Sequence, residues 1–403
     1  MAELVALVGP AGPEWVDELR RWWDRGDAVL PVDDRLPDAA VAALFDSLRP
    51  TLVAHVDRRQ GQGRGQGHGA TPPQRRADGR PAEPGDAVVL ATSGTTGMPK
   101  GVVLTHDAVT AAALATSAAL EVDPERDAWI ACLPLAHAGG LGVVTRAITT
   151  QTPLTTLPGF DAEAVRSVVA TLKAEGRQVL ISLVATALAR LDPDLFRVVV
   201  LGGDTPPTWA DGRPKPVVVT YGMTESGGGC VYDGRPLAGI DVRLTTDGEV
   251  QLRGPMLGRA YRGQGETPLT DADGWYSTDD IGRWDDEGRL VIEGRRADLI
   301  ITGGEKVWPA PVEAILSTCP GVAAVAVVGA PDPEWGHRVV AVVVPNDPTN
   351  PPTLEALRAA SSRELPPWAA PKELRLVDAL PRTALGKVRR QKLRQKLKVP
   401  GEG

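Results

Sequence analysis

The chain has 403 residues, 42% of them hydrophobic, and a formal net charge of −7. That length suggests two or three compact units with ample apolar material for a core, and it argues against chain-wide disorder. The mild acidity argues against a dedicated nucleic-acid binder, which needs a basic face to displace counterions, but it leaves room for a nucleotide cleft.

Glu14 to Trp23 has helical apolar spacing, Ala28 to Val32 reads as a strand, and Ala39 to Leu48 as a helix. Residues 58–84 are rich in Gly, Gln, Pro and Arg without apolar periodicity, which predicts a flexible surface loop. His55 and His68 flank or sit in it, and neither has partners that suggest a metal. Strands follow at Ala87–Thr92, Ala128–Leu133, Gln178–Leu183 and Phe196–Leu201, with helices at Asp107–Leu120 and Asp161–Ala174. Such alternation implies βαβ units and an α/β, largely parallel, doubly wound sheet. From Gly234 to Glu293, short strands with Gly/Asp turns predict antiparallel β structure. A smaller α/β unit follows, with strands at Ala323–Val328 and Val339–Val344 and a helix at Thr353–Leu365. The expected domains are therefore 1–297 and 298–403.

Cys132, Cys230 and Cys319 are far apart and lack metal-ligand spacing, which reads as reduced thiols. The N-terminal run, acidic at Glu3 and without a basic lead, does not read as a secretory signal. No apolar stretch approaches the roughly 20 residues of a membrane span. A soluble cytoplasmic protein is expected. Lysine is scarce, nine against 35 arginines, so a lysine inside a motif is not there by composition.

The strongest signal is Ala91-Thr-Ser-Gly-Thr-Thr-Gly-Met-Pro-Lys-Gly101, directly after a strand. Ser93, Gly94, Thr95, Thr96, Gly97 and Lys100 supply open backbone N–H groups, hydroxyls and a cation, the ingredients of a polyphosphate cradle. The spacing is not that of a Walker A loop. The run resembles the phosphate loop of the adenylate-forming superfamily of acyl-CoA synthetases, adenylation domains and luciferases. The resemblance recurs in order from about Val88 to Lys392.

It implies that Gly202, Gly203 and Asp204 line the adenine pocket. In Tyr221-Gly-Met-Thr-Glu225 it implies that Tyr221 stacks on adenine, Thr224 bonds the α-phosphate and Glu225 binds Mg²⁺, roles that suit a flat base and a hard cation. Asp280 would bind ribose, with Asp279 standing where the family has Gly, and Arg295 would contact ribose or phosphate. Asp298 would be the hinge of a small, mobile C-terminal lid, and Gly303 and Gly304 would border the path of pantetheine. Lys387, in Pro381-Arg-Thr-Ala-Leu-Gly-Lys387, would neutralise charge between the attacking carboxylate and the α-phosphate. The remaining basic residues up to Lys398 read as a solvated helix face. The implied ligands are ATP, Mg²⁺, CoA as co-substrate and a small carboxylic acid. No nucleic-acid or membrane partner is implied, and a homodimer is left open.

Leu133-Pro-Leu-Ala-His-Ala-Gly-Gly140 resembles the family's acyl-pocket motif, with His137 lining the carboxylate site. Arg146 puts a charge in an otherwise apolar helical stretch, which costs free energy unless it is paired. The stretch from Thr220 to Leu237 resembles actinobacterial-type o-succinylbenzoate–CoA ligases of menaquinone biosynthesis. That likeness implies that Arg146 holds the carboxylate that is not activated, and that the small residues Ser226, Gly227 and Gly228 leave room for a flat aromatic ring. The alternatives are another aryl- or acyl-CoA ligase, a stand-alone adenylating enzyme loading a carrier protein, and a non-catalytic paralogue. The presence of Glu225, Asp280, Arg295 and Lys387 argues against the last.

Overall fold

The computed structural model describes residues 2–56, 72–93, 99–203, 212–382 and 388–397. The chain opens with β1 (Leu4–Val8), α1 (Pro13–Asp24), β2 (Ala28–Val32), α2 (Asp38–Leu48), β3 (Leu52–His55), β4 (Gln74–Arg75), β5 (Asp86–Ser93) and β6 (Pro99–Thr105). Next come α3 (His106–Ala119), β7 (Asp127–Ala131), α4 (Ala138–Thr150), β8 (Leu154–Thr156), α5 (Ala162–Ala174), β9 (Gln178–Leu183), α6 (Ala185–Leu188) and β10 (Val198–Leu201). A run of strands follows: β11 (Val217–Met223), β12 (Gly228–Tyr232), β13 (Arg235–Pro236), β14 (Asp241–Leu244), β15 (Glu249–Arg253), β16 (Ala260–Arg262) and β17 (Glu266–Pro268). The chain continues through β18 (Tyr276–Trp284), β19 (Leu290–Arg295), β20 (Ile300–Thr302), β21 (Glu305–Val307), α7 (Pro309–Ser317), β22 (Val322–Asp332), β23 (Gly336–Pro345), α8 (Leu354–Glu364), β24 (Glu373–Leu376) and α9 (Arg390–Leu397).

Two compact units result, 1–242 with 252–276, and 243–251 with 277–403. The expected boundary at 297/298 thus lies inside the second unit. The cause is local pairing: Gln251 Nε2 donates to Ser277 Oγ at 2.7 Å, and Arg296 pairs with Asp247 at 2.6 Å and Glu249 at 3.3 Å. These contacts bind 243–251 to Ser277 of β18 and to Arg296 just past β19.

The first unit holds an eight-stranded sheet in the order β17-β16-β6-β5-β2-β1-β3-β4 and a seven-stranded sheet in the order β13-β12-β11-β10-β9-β7-β8. In the second sheet β7, β8, β9, β10 and β11 run parallel, β12 runs antiparallel to β11, and β13 runs antiparallel to β12. Its middle strands are apolar throughout because both faces are covered. Ile130, Ile181, Val199 and Leu201 pack with Val165, Val169 and Leu172 of α5 in one core. On α4, Leu141, Val143, Val144 and Ala147 are all buried. Helix starts follow capping chemistry: Thr105 accepts from Ala108 N at 3.1 Å to open α3, and Asp161 accepts from Ala164 N at 2.8 Å to open α5. The Cys132 and Cys230 thiols lie in these cores, and burial pushes both up to about 12, so they stay protonated and inert.

The eight-stranded sheet is mixed rather than largely parallel. Strand β6 runs antiparallel to β5, and β16, from the stretch expected to stay in an antiparallel subdomain, runs antiparallel to β6. Residues 72–84 are also not the flexible loop that their composition predicts; the rest of that stretch, 58–71, lies outside the described residues. The backbone of 72–84 is paired at several points. Arg76 N donates to Thr51 O, Arg80 N to Arg49 O and Ala82 N to Ala2 O. Arg262, with no exposed surface, clamps it from inside, donating to Leu48 O at 2.9 Å and Pro81 O at 3.0 Å. Backbone carbonyls satisfy a buried guanidinium that composition alone could not place.

In the second unit, β21-β20-β23-β22 with β24 paired to β23 form a small sheet covered by α7 and α8 on one face and α9 on the other. The second unit also carries most of the sheet β14-β15-β18-β19.

Candidate active site

In parallel α/β sheets, ligand sites form at the carboxyl ends of the strands. Here His137 follows β7, Gly202 and Gly203 follow β10, and Tyr221 lies in the last turn of β11 before Thr224 and Glu225. The end is held in shape by Gly202 N donating to Leu183 O and by Thr220 Oγ1 donating to Leu201 O, both at 3.1 Å. Asp204, Gly94, Thr95, Thr96, Gly97 and Lys387 lie outside the described residues. Ser93 closes β5, and Lys100 stands near the start of β6.

The turn between β11 and β12 fixes the most specific motif. Met223 passes into a short 3-10 turn, Thr224–Ser226, before β12 returns. The strand register shifts between Tyr221 and Gly222, and a Cβ on Gly222 would sit 2.0 Å from Gly228 O, so only glycine fits. Ser226 was expected to line the acyl pocket. It is instead fully buried, donating to Gly228 O at 2.7 Å and accepting from Met223 N at 3.2 Å. Its hydroxyl is spent on closing the turn. Thr224 and Glu225 remain half-buried at the tip.

Glu225 does not stand alone. Tyr261 Oη donates to Glu225 Oε1 at 2.7 Å, and Tyr276 Oη lies 3.0 Å from Tyr261 Oη. The Lys100 ammonium sits 3.6 Å from the centre of the Tyr261 ring. Gly258 N donates to Glu225 O at 2.8 Å, so the approach to β16 is pinned to the same turn. Burial, and then the charge of Glu225, push the Tyr261 hydroxyl above its ordinary range, so it is a donor at any working pH. Neither Tyr261 nor Tyr276 was found from the sequence, although scarcity could have marked them. The chain has four tyrosines, and Tyr221, Tyr261 and Tyr276 are three of them.

The acyl side is built on α4. His137 precedes its first turn, half-buried, and burial pushes its imidazole below the usual range despite Asp33 nearby, so it is neutral at pH 7. Arg146 is 5% exposed in the middle of the helix. Its guanidinium lies 4.9 Å from the Trp129 ring centre and 3.4 Å from Ser182 Oγ, and it has no carboxylate partner among the described residues. Burial pushes it below the usual guanidinium range. It borders the glycine turn: a Cβ on Gly142 would meet Arg146 Nη2 at 3.1 Å and Gly227 O at 3.7 Å, and one on Gly228 would meet Ala138 O at 3.9 Å. The structure therefore brings Arg146, Gly227, Gly228 and the start of α4 together. Trp129 and Ser182 join them as residues that sequence reading missed.

The second unit brings Asp280 and Arg295 together. They face each other across β18 and β19, with Nε 3.1 Å from Oδ1. Asp280 is buried, with its backbone N donating to Thr278 Oγ1, while Asp279 is exposed. Asp279 has φ +60, the left-handed region, which explains a family preference for glycine there. Asp279→Gly is expected to raise stability by a few tenths to about 1 kcal/mol, read as a higher Tm. ATP–pyrophosphate exchange should be unchanged, and a lower Tm would contradict this expectation. Asp298 closes a 3-10 turn and accepts from Arg394 of α9 at 2.5 Å, with Arg390 3.7 Å away. Gly303 and Gly304 form the β20–β21 turn, where a Cβ on Gly303 would strike the Trp335 ring at 2.6 Å.

The model of the AMP-binding enzyme family matches residues 2–261, and that of the AMP-binding enzyme C-terminal domain matches residues 311–387. The chain belongs to the AMP-binding enzyme family. It is an adenylate-forming ligase of that family, with the mixed α/β fold and small C-terminal domain the sequence implied. It is 41% identical to a probable 2-succinylbenzoate–CoA ligase of Mycobacterium tuberculosis over 324 residues, covering 76% of this chain and 83% of that one. It is 34% identical to the 2-succinylbenzoate–CoA ligase of Listeria monocytogenes over 335 residues, 77% of this chain and 70% of that one. Among solved structures it resembles o-succinylbenzoate CoA synthetase (MenE) from Bacillus subtilis in complex with the acyl-adenylate intermediate OSB-AMP. The TM-score is 0.81 at 25% identity, covering 100% of this chain and 89% of that one.

The donor set of this AMP-binding enzyme fits a Mg²⁺ shared with nucleotide. Glu225 is one hard carboxylate at the turn, and among the described residues no cluster of three or more His, Cys, Asp or Glu could hold an ion unaided. One carboxylate plus phosphate oxygens and water is the usual octahedral arrangement for this cation. No described helix is long and apolar enough to cross a membrane.

Proposed function

We propose that this chain is an acid–CoA ligase whose acid is 2-succinylbenzoate, working through an acyl adenylate. The observation that carries the choice of acid is Arg146, a buried guanidinium without a carboxylate partner among the described residues, beside Gly142 and close to Gly227. A buried cation is costly unless an anion meets it. An acid with two carboxylates supplies one to the reaction and one to Arg146, and the residues beside it that lack side chains suit a flat ring.

In the first step a carboxylate oxygen of the acid attacks the α-phosphorus of ATP, and the bond to pyrophosphate breaks. Neutral His137 offers a hydrogen bond at the carboxylate end. Thr224 and the phosphate-loop groups Ser93, Gly94, Thr95, Thr96, Gly97 and Lys100 hold the phosphates. Gly202, Gly203, Asp204 and Tyr221 hold adenine, and Asp280 with Arg295 holds ribose. Glu225 would hold Mg²⁺, which would supply charge neutralisation at the phosphates, and Lys387 would supply it between the two reactants. In the second step the CoA sulfur attacks the acyl carbon and AMP leaves. Rotation about Asp298 would exchange the Lys387 segment for the Gly303–Gly304 turn between the steps.

ATP–pyrophosphate exchange with a panel of aryl and alkyl acids, followed by thioester formation with CoA, tests the reading. Exchange should be strongest with 2-succinylbenzoate. Exchange with benzoate or fatty acids but not with 2-succinylbenzoate would remove it.

A further inference from the structure

We infer that Tyr261 is a positioning residue that keeps Lys100 and Glu225 apart, so that the cation stays available to phosphate and the carboxylate to metal. This rests on the proposed roles of those two residues. The two carry opposite charge and meet the same side chain, Lys100 Nζ 3.6 Å from the ring centre and Glu225 Oε1 2.7 Å from Oη. In a half-buried site an ammonium and a carboxylate attract strongly, and a direct pair would neutralise both. Yet among the described residues neither Lys100 nor Glu225 makes an ion pair.

The tyrosine holds each without discharging it. Its ring face attracts the ammonium through the quadrupole without neutralising it, which leaves N–H donors on the far side for an anion. Its hydroxyl gives one hydrogen bond to Oε1, which orients the carboxylate and leaves its charge intact. A phenol has one proton to donate. With that proton on Glu225, Tyr276 must donate to Tyr261 across their 3.0 Å separation, which fixes the hydroxyl's direction. The backbone supports the same geometry. Tyr261 lies opposite Val102 in the β16–β6 pairing, two residues from Lys100, and Gly258 N holds Glu225 O.

Three variants separate this role from general packing and from failure of the underlying reading. Two quantities are measured on the full chain. One is Mn²⁺ binding in the presence of a non-hydrolysable ATP analogue, followed by electron paramagnetic resonance. The other is binding of the same analogue in EDTA, followed by calorimetry. Tyr261→Phe keeps the ring and loses the donor, so Mn²⁺ binding should weaken roughly five- to tenfold while metal-free nucleotide binding changes by less than about twofold. Tyr261→Leu loses both, so Lys100 closes on Glu225 and both quantities should weaken. Glu225→Gln should weaken Mn²⁺ binding alone. If both Tyr261 variants bind Mn²⁺ and nucleotide like the parent while Glu225→Gln does not, the inference falls and the reading of Glu225 stands. If Tyr261→Phe weakens both quantities as much as Tyr261→Leu does, the role is packing and the inference falls. If Glu225→Gln leaves Mn²⁺ binding unchanged, the reading falls and takes the inference with it.

Discussion

Replacing Arg146 by methionine is expected to cut kcat/KM for 2-succinylbenzoate by about a hundredfold or more while making the ligand-free protein more stable. The two signs are what distinguish a ligand-binding residue from a structural one. Arg146 is buried on α4 with only the Trp129 ring and a 3.4 Å approach to Ser182 Oγ to compensate its charge. Methionine fills similar volume without that charge, and relief of a poorly compensated buried ion stabilises by about 1 kcal/mol or more, a Tm a few degrees higher. In the complex the same change leaves the substrate's second carboxylate buried and unpaired, at a cost of about 3–5 kcal/mol. An analogue that keeps the activated carboxylate and lacks the one on the ring should be poor with the parent and no poorer with Arg146→Met. KM for ATP should hold in both proteins. A variant that loses stability and loses activity equally toward both acids would show that Arg146 serves the fold.

Gly222→Ala should cut turnover by about a hundredfold or more. The added methyl would lie 2.0 Å from Gly228 O and 2.5 Å from Gly229 Cα, both backbone atoms that cannot rotate away. The β11–β12 hairpin must then open at the point where its register already shifts. Thr224 and Glu225 are carried by that hairpin, and a displacement of about 1 Å in reacting groups costs about a hundredfold in rate. Overpacking against backbone adds about 1–3 kcal/mol of destabilisation, so a moderate fall in Tm should accompany a much larger fall in exchange activity. Gly227→Ala is the control for the fall in Tm. Its Cβ would meet only Ala112 Cβ at 3.7 Å and Leu104 Cδ1 at 3.9 Å, so its cost comes from its φ of +66 alone. A Gly222→Ala protein with parental activity would mean that the hairpin is far softer than its contacts suggest.

The middle of the seven-stranded sheet, β7, β9 and β10, is legible in the sequence because its signals are local. Gln178–Leu183 is read residue for residue, since a short run buried on both faces and bounded by polar residues has few alternatives. The phosphate-loop and Tyr221–Glu225 motifs are legible for a similar reason, being contiguous. What escapes reading is what long-range pairing creates. Nothing near Arg262 indicates that it will be buried against carbonyls of Leu48 and Pro81, and so the order of residues 72–84 is missed. Ser226 looks like pocket lining because its smallness is visible, whereas its two backbone partners depend on the turn's shape. Tyr261 escapes although tyrosine is rarer here than lysine, because a single tyrosine among short strands carries no local sign of its partners.

The pairing of β16 with β6 also bears on how the chain is made. Gly101, Val102 and Val103 emerge from the ribosome long before Arg262, Tyr261 and Ala260, which pair with them. During synthesis β6 is therefore an open edge with a wholly buried apolar stretch, Val102 and Val103 having no exposed surface in the finished protein. Sequence separations of this size slow folding and lengthen the exposure of such edges. Lys100 and Pro99, at the head of that strand, are residue types that discourage edge-to-edge association. The Lys100 end of the candidate site is thus one of the last parts of the first unit to be completed, and nascent chains ending before β16 would be the ones most in need of a chaperone.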